Sequence, residues 1–340
     1  MTSAGAVALV VLALAVLATI LVAGGYDVAV ALSALTRGAV GSWDAFSSAT
    51  LVRATPLLIT GLAITIAFRA GVLNIGAEGQ LLLGAAAATA AGLSWQGPAP
   101  LKIASVLLAG LLAGGAWAAI AAVLRLRFGV LEVISTLMLN FVAQYLLGWL
   151  VRGPMQEPTH IYPQSAFLPD DTRLPVLIDG SRLHAGFAIG VLLAVLLWLV
   201  LSRSAAGFKV RVVGANAAAA WSAGGIDTAR VTFAAFVVSG ALAGLAGAVE
   251  VGGVTFALYE NISPGYGFSA IAVALLGRLH PIGVIGTATL FGALEAGAVA
   301  MQRDAAVPSV VVNVVEAVLI LLVVAADRWQ ARRITTQAGA

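Results

Sequence analysis

Long apolar runs, many of them close to the roughly 20 residues a helix needs to cross a bilayer core, recur along this chain between short polar breaks. The runs are continuous, which predicts membrane-spanning helices; strands of a membrane barrel alternate apolar and polar positions. Run lengths predict about ten crossings, at 5–24, 50–68, 75–93, 101–124, 129–151, 186–202, 229–250, 267–277, 282–301 and 308–326. The 267–277 run is too short to cross alone and reads as a half-helix or as part of a re-entrant pair. Pro56, Pro98, Pro281 and Pro308 punctuate span starts and turns, as proline does near helix beginnings.

One break stands apart. Arg69-Ala70-Gly71-Val72-Leu73-Asn74-Ile75-Gly76-Ala77-Glu78-Gly79-Gln80 crowds a carboxylate, two amide side chains and three glycines between two apolar runs. Lipid cannot hydrogen-bond irregular backbone, so such a break persists at membrane depth only inside protein or along a water-filled path. That points to transport. A second break, Asn261-Ile262-Ser263-Pro264-Gly265, opens the later half of the chain. On a ten-span count, residues 50–151 and 229–326 form units of four to five helices in opposite topology, each broken early, which is the inverted-repeat plan of many transporters. Two unrelated glycine-rich turns give the same pattern.

Composition agrees with a single transmembrane domain over 1–340. The 340 residues are 61% hydrophobic and 10% charged, with a mean hydropathy of +1.03; a soluble domain carries about 25% charged residues. The net charge of +3 reflects basic residues flanking spans and predicts no nucleic-acid partner. With the N-terminus in the cytoplasm, eleven of the 18 basic residues fall inside, and both termini are cytoplasmic. The first run has no Lys or Arg before it and is long for a signal peptide, so it reads as a retained span. The loop 152–185 is then extracytoplasmic and the loop 203–228 cytoplasmic.

Several chemistries are excluded. There is no cysteine. Lys102 follows Leu101 and Lys209 follows Phe208, so no P-loop exists, and neither an HExxH nor a Gly-x-Ser-x-Gly pattern occurs. The polar residues that remain in or near spans are Glu78, Glu132, Asn140, Gln144, Glu250, Glu295, Asn313 and Glu316. Ionisable groups there mark functional candidates, although interhelical hydrogen bonding uses the same residue types. Glu132, Asn140 and Gln144 are spaced to share one helix face. Gly110 and Gly114, then Gly240, Gly244 and Gly247, are spaced to let helix backbones approach closely. In the 203–228 loop, 215–223 predicts a short helix with Gly214 before it, Gly224-Gly225 as its stop and Trp221 as an aromatic contact. It fits either a helix docking in a partner's groove or a connector on the membrane surface.

Four stretches, in order, carry a resemblance to a known family. They are Ala54-Thr55-Pro56 through Gly61 into Phe68-Arg69-Ala70-Gly71 and Asn74–Gln80; Glu132–Asn140; Val213-Gly214-Ala215-Asn216 through Ser239–Gly244; and Gly267-Phe268 through Ala272–Arg278. The chain resembles permease subunits of bacterial ABC importers, in the nucleoside and simple-sugar branch of the branched-chain amino acid/ribose-type superfamily. The resemblance implies an all-α, type II importer-like fold of about ten spans in the bacterial plasma membrane. It implies a homologous or identical second permease, an ABC ATPase carrying ATP and Mg, and an extracytoplasmic substrate-binding lipoprotein. This chain then binds no cofactor and catalyses no reaction.

The same resemblance makes the 203–228 loop the coupling segment, with Gly214, Ala215, Asn216, Ala217, Ala219 and Trp221 facing the ATPase. Ala217 departs from the proline often found at that position in relatives. Asn74, Glu78, Gln80, Asn140, Phe268 and Asn313 are the candidates for the solute path. The competing expectation is an ion-coupled secondary transporter using Glu295 or Glu316.

Overall fold

The computed structural model describes residues 3–308 together with 310, 311, 314, 317 and 318. The described residues form twelve α-helices and contain no β-strand, only two isolated bridges. The helices are α1 Ser3–Ala23, α2 Val28–Val40, α3 Val52–Arg69, α4 Ala77–Ser94, α5 Ala99–Phe128 and α6 Glu132–Arg152; then α7 Ala185–Arg203, α8 Ala205–Ala215, α9 Ala217–Gly224, α10 Thr228–Glu250, α11 Tyr266–Leu276 and α12 Pro281–Ala305. Among the described residues six stretches are long and apolar enough to cross a membrane: Ala45–Arg69, Ala99–Phe128, Glu132–Arg152, Ala185–Arg203, Thr228–Thr255 and Pro281–Ala305. Each coincides with a predicted span. The predicted 5–24 and 75–93 runs are α1 and α4, the short 267–277 run is α11, and the 308–326 span lies largely outside the described residues. The hydropathy pattern missed α2, whose 13 residues are too few to cross alone.

Two compact units divide the chain, one from residues up to Arg53 with those from Thr289 onward, the other Ala54–Ala288. In the first, the Asp27 carboxylate caps α2 by accepting from the backbone N–H of Ala29 and Val30. A Cβ on Gly38 would lie 2.3 Å from the Ala300 Cβ, and one on Gly297 would lie 2.7 Å from the Leu35 carbonyl oxygen. Small residues thus let α2 and the later part of α12 touch.

The second unit is built around α3, α4, α5 and α10. Leu57, Leu58, Ile59, Leu62 and Ile64 of α3 are fully buried. The other three helices meet at glycines: a Cβ on Gly84 would fall 2.3 Å from the Gly244 Cα, one on Gly114 2.2 Å from the Gly240 carbonyl oxygen, and one on Gly247 2.1 Å from the Leu81 carbonyl oxygen. Lipid tails are as apolar as leucine, so close backbone packing rather than the hydrophobic effect holds helices together in a bilayer. The spaced glycines supply that packing, and α4, which begins just after the first break, is thereby held against α10.

Candidate functional site

The first break is sewn shut by its own polar side chains. After α3 ends at Arg69, Gly71 takes a φ of +72°, open to glycine at little cost, and the chain reverses. Asn74 is completely buried. Its Nδ2 donates to Gln80 Oε1 and to Ser239 Oγ on α10, each at 2.9 Å, while its Oδ1 accepts from the Gly76 N–H and from Gln80 Nε2, each at 3.0 Å. Asn140 on α6 does the same from the other side. Its Nδ2 donates to the Ile75 carbonyl and its Oδ1 accepts from the Gly79 N–H, each at 2.9 Å. The irregular backbone and the free N–H groups at the start of α4 are therefore satisfied by side-chain amides, as buried polar groups must be.

Glu78 joins this break to the second one. Its side chain is buried, and Oε2 accepts a 2.7 Å hydrogen bond from the Gly267 N–H in the first turn of α11. The Ser263 side chain bonds the same carboxylate. Ser263 Oγ also accepts from the N–H groups of Gly265 and Tyr266, so it caps α11 while touching Glu78. The backbones are as close as the side chains: a Cβ on Gly267 would lie 2.2 Å from the Glu78 nitrogen. A carboxylate at a helix N-terminus is favoured by the unpaired N–H groups and by the helix dipole. The two breaks, 189 residues apart, are thus one polar joint.

The chain between α7 and α10 meets this joint at its other edge. The Ser204 side chain caps α8, and Asn216 caps α9 by accepting from the Ala219 N–H at 3.0 Å. Gly225, at a φ of +57°, ends α9, with its N–H and that of Ile226 bonded back to Trp221 and Ala220. The short helix is therefore Ala217–Gly224, starting later than the sequence predicts because Asn216 is a better cap than Gly214. Ala217, Ala218, Ala219, Trp221, Ser222 and Gly224 are exposed, Trp221 at 63%, and Ala220 is buried. Gly214 lies against the end of α3, where a Cβ would sit 2.1 Å from the Arg69 carbonyl oxygen and 3.0 Å from the Gly71 nitrogen. Arg69 Nε in turn donates to the Leu279 carbonyl at 3.0 Å, in the turn between α11 and α12. A cavity of about 310 Å³ opens beside this contact, lined by Arg69, Arg211 and His280, and the Arg211 Nη1 is buried there without a hydrogen-bond partner.

The remaining sequence candidates fall elsewhere. Phe268 is next to Gly267 and 44% exposed, so it is open where Glu78 and Asn74 are closed. Gln144, one turn beyond Asn140, is exposed, so the shared face divides into a buried and an open part. Glu132 pairs with Arg125 at 3.0 Å. Glu295 is half-buried on α12 and has a partner, while Asn313 and Glu316 lie outside the described residues. Sequence reading did not single out Ser239, Ser263 or Gly267 as members of the joint, although Ser263 and Gly267 stood within motifs already noted. Ser239 too opened a noted motif, Ser239–Gly244, but as a lone serine in an apolar helix it carried no sign of its partner. Among the described residues no three His, Asp or Glu side chains are grouped to hold a metal ion.

Residues 46–324 match the family model described as branched-chain amino acid transport system / permease component. The guanosine ABC transporter permease protein NupP of Bacillus subtilis (strain 168) is 39% identical over 318 residues, covering 92% of this chain and 90% of that one. The glucose ABC transporter permease protein TsgB13 of Haloferax volcanii is 38% identical, covering 84% and 77%. The nucleoside ABC transporter permease protein NupB of Lactococcus lactis subsp. cremoris is 32% identical, covering 90% and 86%. No solved structure matches the chain.

Proposed function

The chain belongs to the permease-component family of branched-chain amino acid transport systems, and from that premise we propose that it carries a nucleoside or simple sugar across the bacterial plasma membrane. It is a multi-pass membrane protein and the permease subunit of an ABC transporter. In the proposed assembly it pairs with a second permease. A separate ABC ATPase binds ATP and Mg beneath the pair, and an extracytoplasmic lipoprotein delivers solute. Both termini and the α8–α9 segment then face the cytoplasm. The names of three relatives, which specify guanosine, nucleosides and glucose, support this solute class.

One observation carries the mechanism: the unbroken line of backbone contacts from Gly214 to Arg69 and Gly71, through the sewn break, to Glu78 and Gly267. In the proposed cycle α9 docks into the ATPase, and ATP-driven closure moves α9. Because Gly214 leaves no slack against α3, that motion reaches the joint, where α4 and α11 begin. Tilting α11 relative to α4 then changes which side of the membrane reaches the solute path near Phe268. ATP supplies this bias only through a different affinity for the two arrangements. Asn74, Gln80 and Asn140 hold the joint, and their polar atoms meet solute when it opens. The residue units 50–151 and 229–326 are the two halves of the proposed inverted repeat, one break in each.

Co-purification from the native membrane with mass spectrometry tests the assembly. An ATPase, a second permease and a lipoprotein that binds nucleosides or sugars are the expected companions. A chain that purifies alone and moves solute in liposomes under an ion gradient overturns the reading.

A further inference from the structure

We propose that the groove between α7, α8 and α10 holds one acyl chain of an anionic phospholipid, with its headgroup at Lys209. The groove encloses about 440 Å³, and apart from Lys209 and Arg230 every side chain lining it is hydrocarbon. Its extent matches a single leaflet. Along α10 it runs from Arg230 to Leu242, about 18 Å at the rise of an α-helix, against about 15 Å for half of the hydrocarbon core. Along α7 it runs from Leu193 to Leu201, the half of that helix nearest α8.

Both cations stand at the same end, where α8 and the first turn of α10 meet the headgroup layer. Arg230 is paired at 2.8 Å with Asp227, which neutralises it. Lys209 has no carboxylate partner among the described residues, and α8 carries Lys209 and Arg211 but no acid. The rim is therefore net positive over a hydrocarbon slot that ends near mid-membrane. A partner's spanning helix needs an apolar face across both leaflets and gains nothing from an unpaired lysine at one end. One acyl chain beneath one phosphate fits both features, and basic pockets between spans on the cytoplasmic side recognise such headgroups. This inference needs the α8–α9 face to be cytoplasmic, as proposed above, and does not depend on which solute is carried.

The test is native mass spectrometry of the assembled, detergent-purified transporter with added phosphatidylglycerol or phosphatidylcholine. The wild type is expected to retain phosphatidylglycerol about fivefold better, the factor one lysine contributes at an anionic surface. Lys209→Gln is expected to abolish that preference, and because Lys209 is exposed the variant keeps its fold. Ala234→Phe, which fills the groove, is expected to lose both lipids. Equal retention of the two lipids by the wild type, or an unchanged preference in Lys209→Gln, overturns the proposal. So does crosslinking of Ala234→Cys, in a chain with no other cysteine, to a second permease.

Discussion

Replacing Glu78 separates a clamp from a solute ligand. The carboxylate accepts the Gly267 N–H at 2.7 Å and a bond from Ser263, in a site closed to water. Glu78→Ala leaves the Gly267 donor unpaired. A hydrogen bond to a charged group contributes about 1.5–3 kcal/mol, and a buried orphan donor costs about 1–3 kcal/mol. The lost interaction with the first turn of α11 adds about 0.3–1 kcal/mol. These terms overlap, so the expected destabilisation is roughly 2–3 kcal/mol. Glu78→Gln keeps one acceptor oxygen for the Gly267 N–H but turns the other into an NH2 donor and removes any charge, so about 1 kcal/mol is expected. Chemical or thermal unfolding of the purified transporter, read alongside solute uptake, gives both quantities. The order wild type, Gln, Ala in stability, with uptake falling in parallel, is the expected result. Equal stability in all three proteins, with a changed KM for solute, refutes the clamp and assigns the carboxylate to the path.

Other consequences follow from the same geometry. Gly214→Ala forces a methyl to 2.1 Å from the Arg69 carbonyl oxygen, so solute-stimulated ATP hydrolysis is expected to fall while basal hydrolysis persists; Trp221→Asp is expected to weaken ATPase assembly itself, and normal coupling in both variants removes the α8–α9 segment from the mechanism. Gly244→Ala puts a methyl 2.2 Å from the Gly110 carbonyl oxygen, an overpacking expected to cost about 1–3 kcal/mol in unfolding measurements. His184, at the mouth of α7, is held down to about 4 from 6.5 by burial and by the nearby Arg182 charge. The unfolded chain then takes up a proton there before the folded one does. Stability is complete above about pH 6.5 and is expected to decline as pH falls toward 4; a His184→Gln variant with the same pH slope contradicts that assignment.

Sequence alone determined the membrane class, most of the spans and the place of both breaks. Those conclusions rest on local quantities: run length, hydrocarbon content and the inability of lipid to satisfy open backbone. Glycine spacing on α5 and α10 was readable for the same reason, since helical periodicity is local. Helix α2 escaped because Ser33, Thr36 and Arg37 interrupt its apolar positions, whereas the shorter α11 reads as a nearly unbroken apolar run. The partners of each polar side chain were not legible. Glu78 and Gly267 are 189 residues apart, and Asn74 and Ser239 are 165 apart. The sequence marked Asn74, Glu78 and Asn140 as polar groups in an apolar setting. Only the tertiary structure decided that their atoms are spent on stitching two breaks into one joint, because a hydrogen bond depends on distance in space and sequence records only distance along the chain.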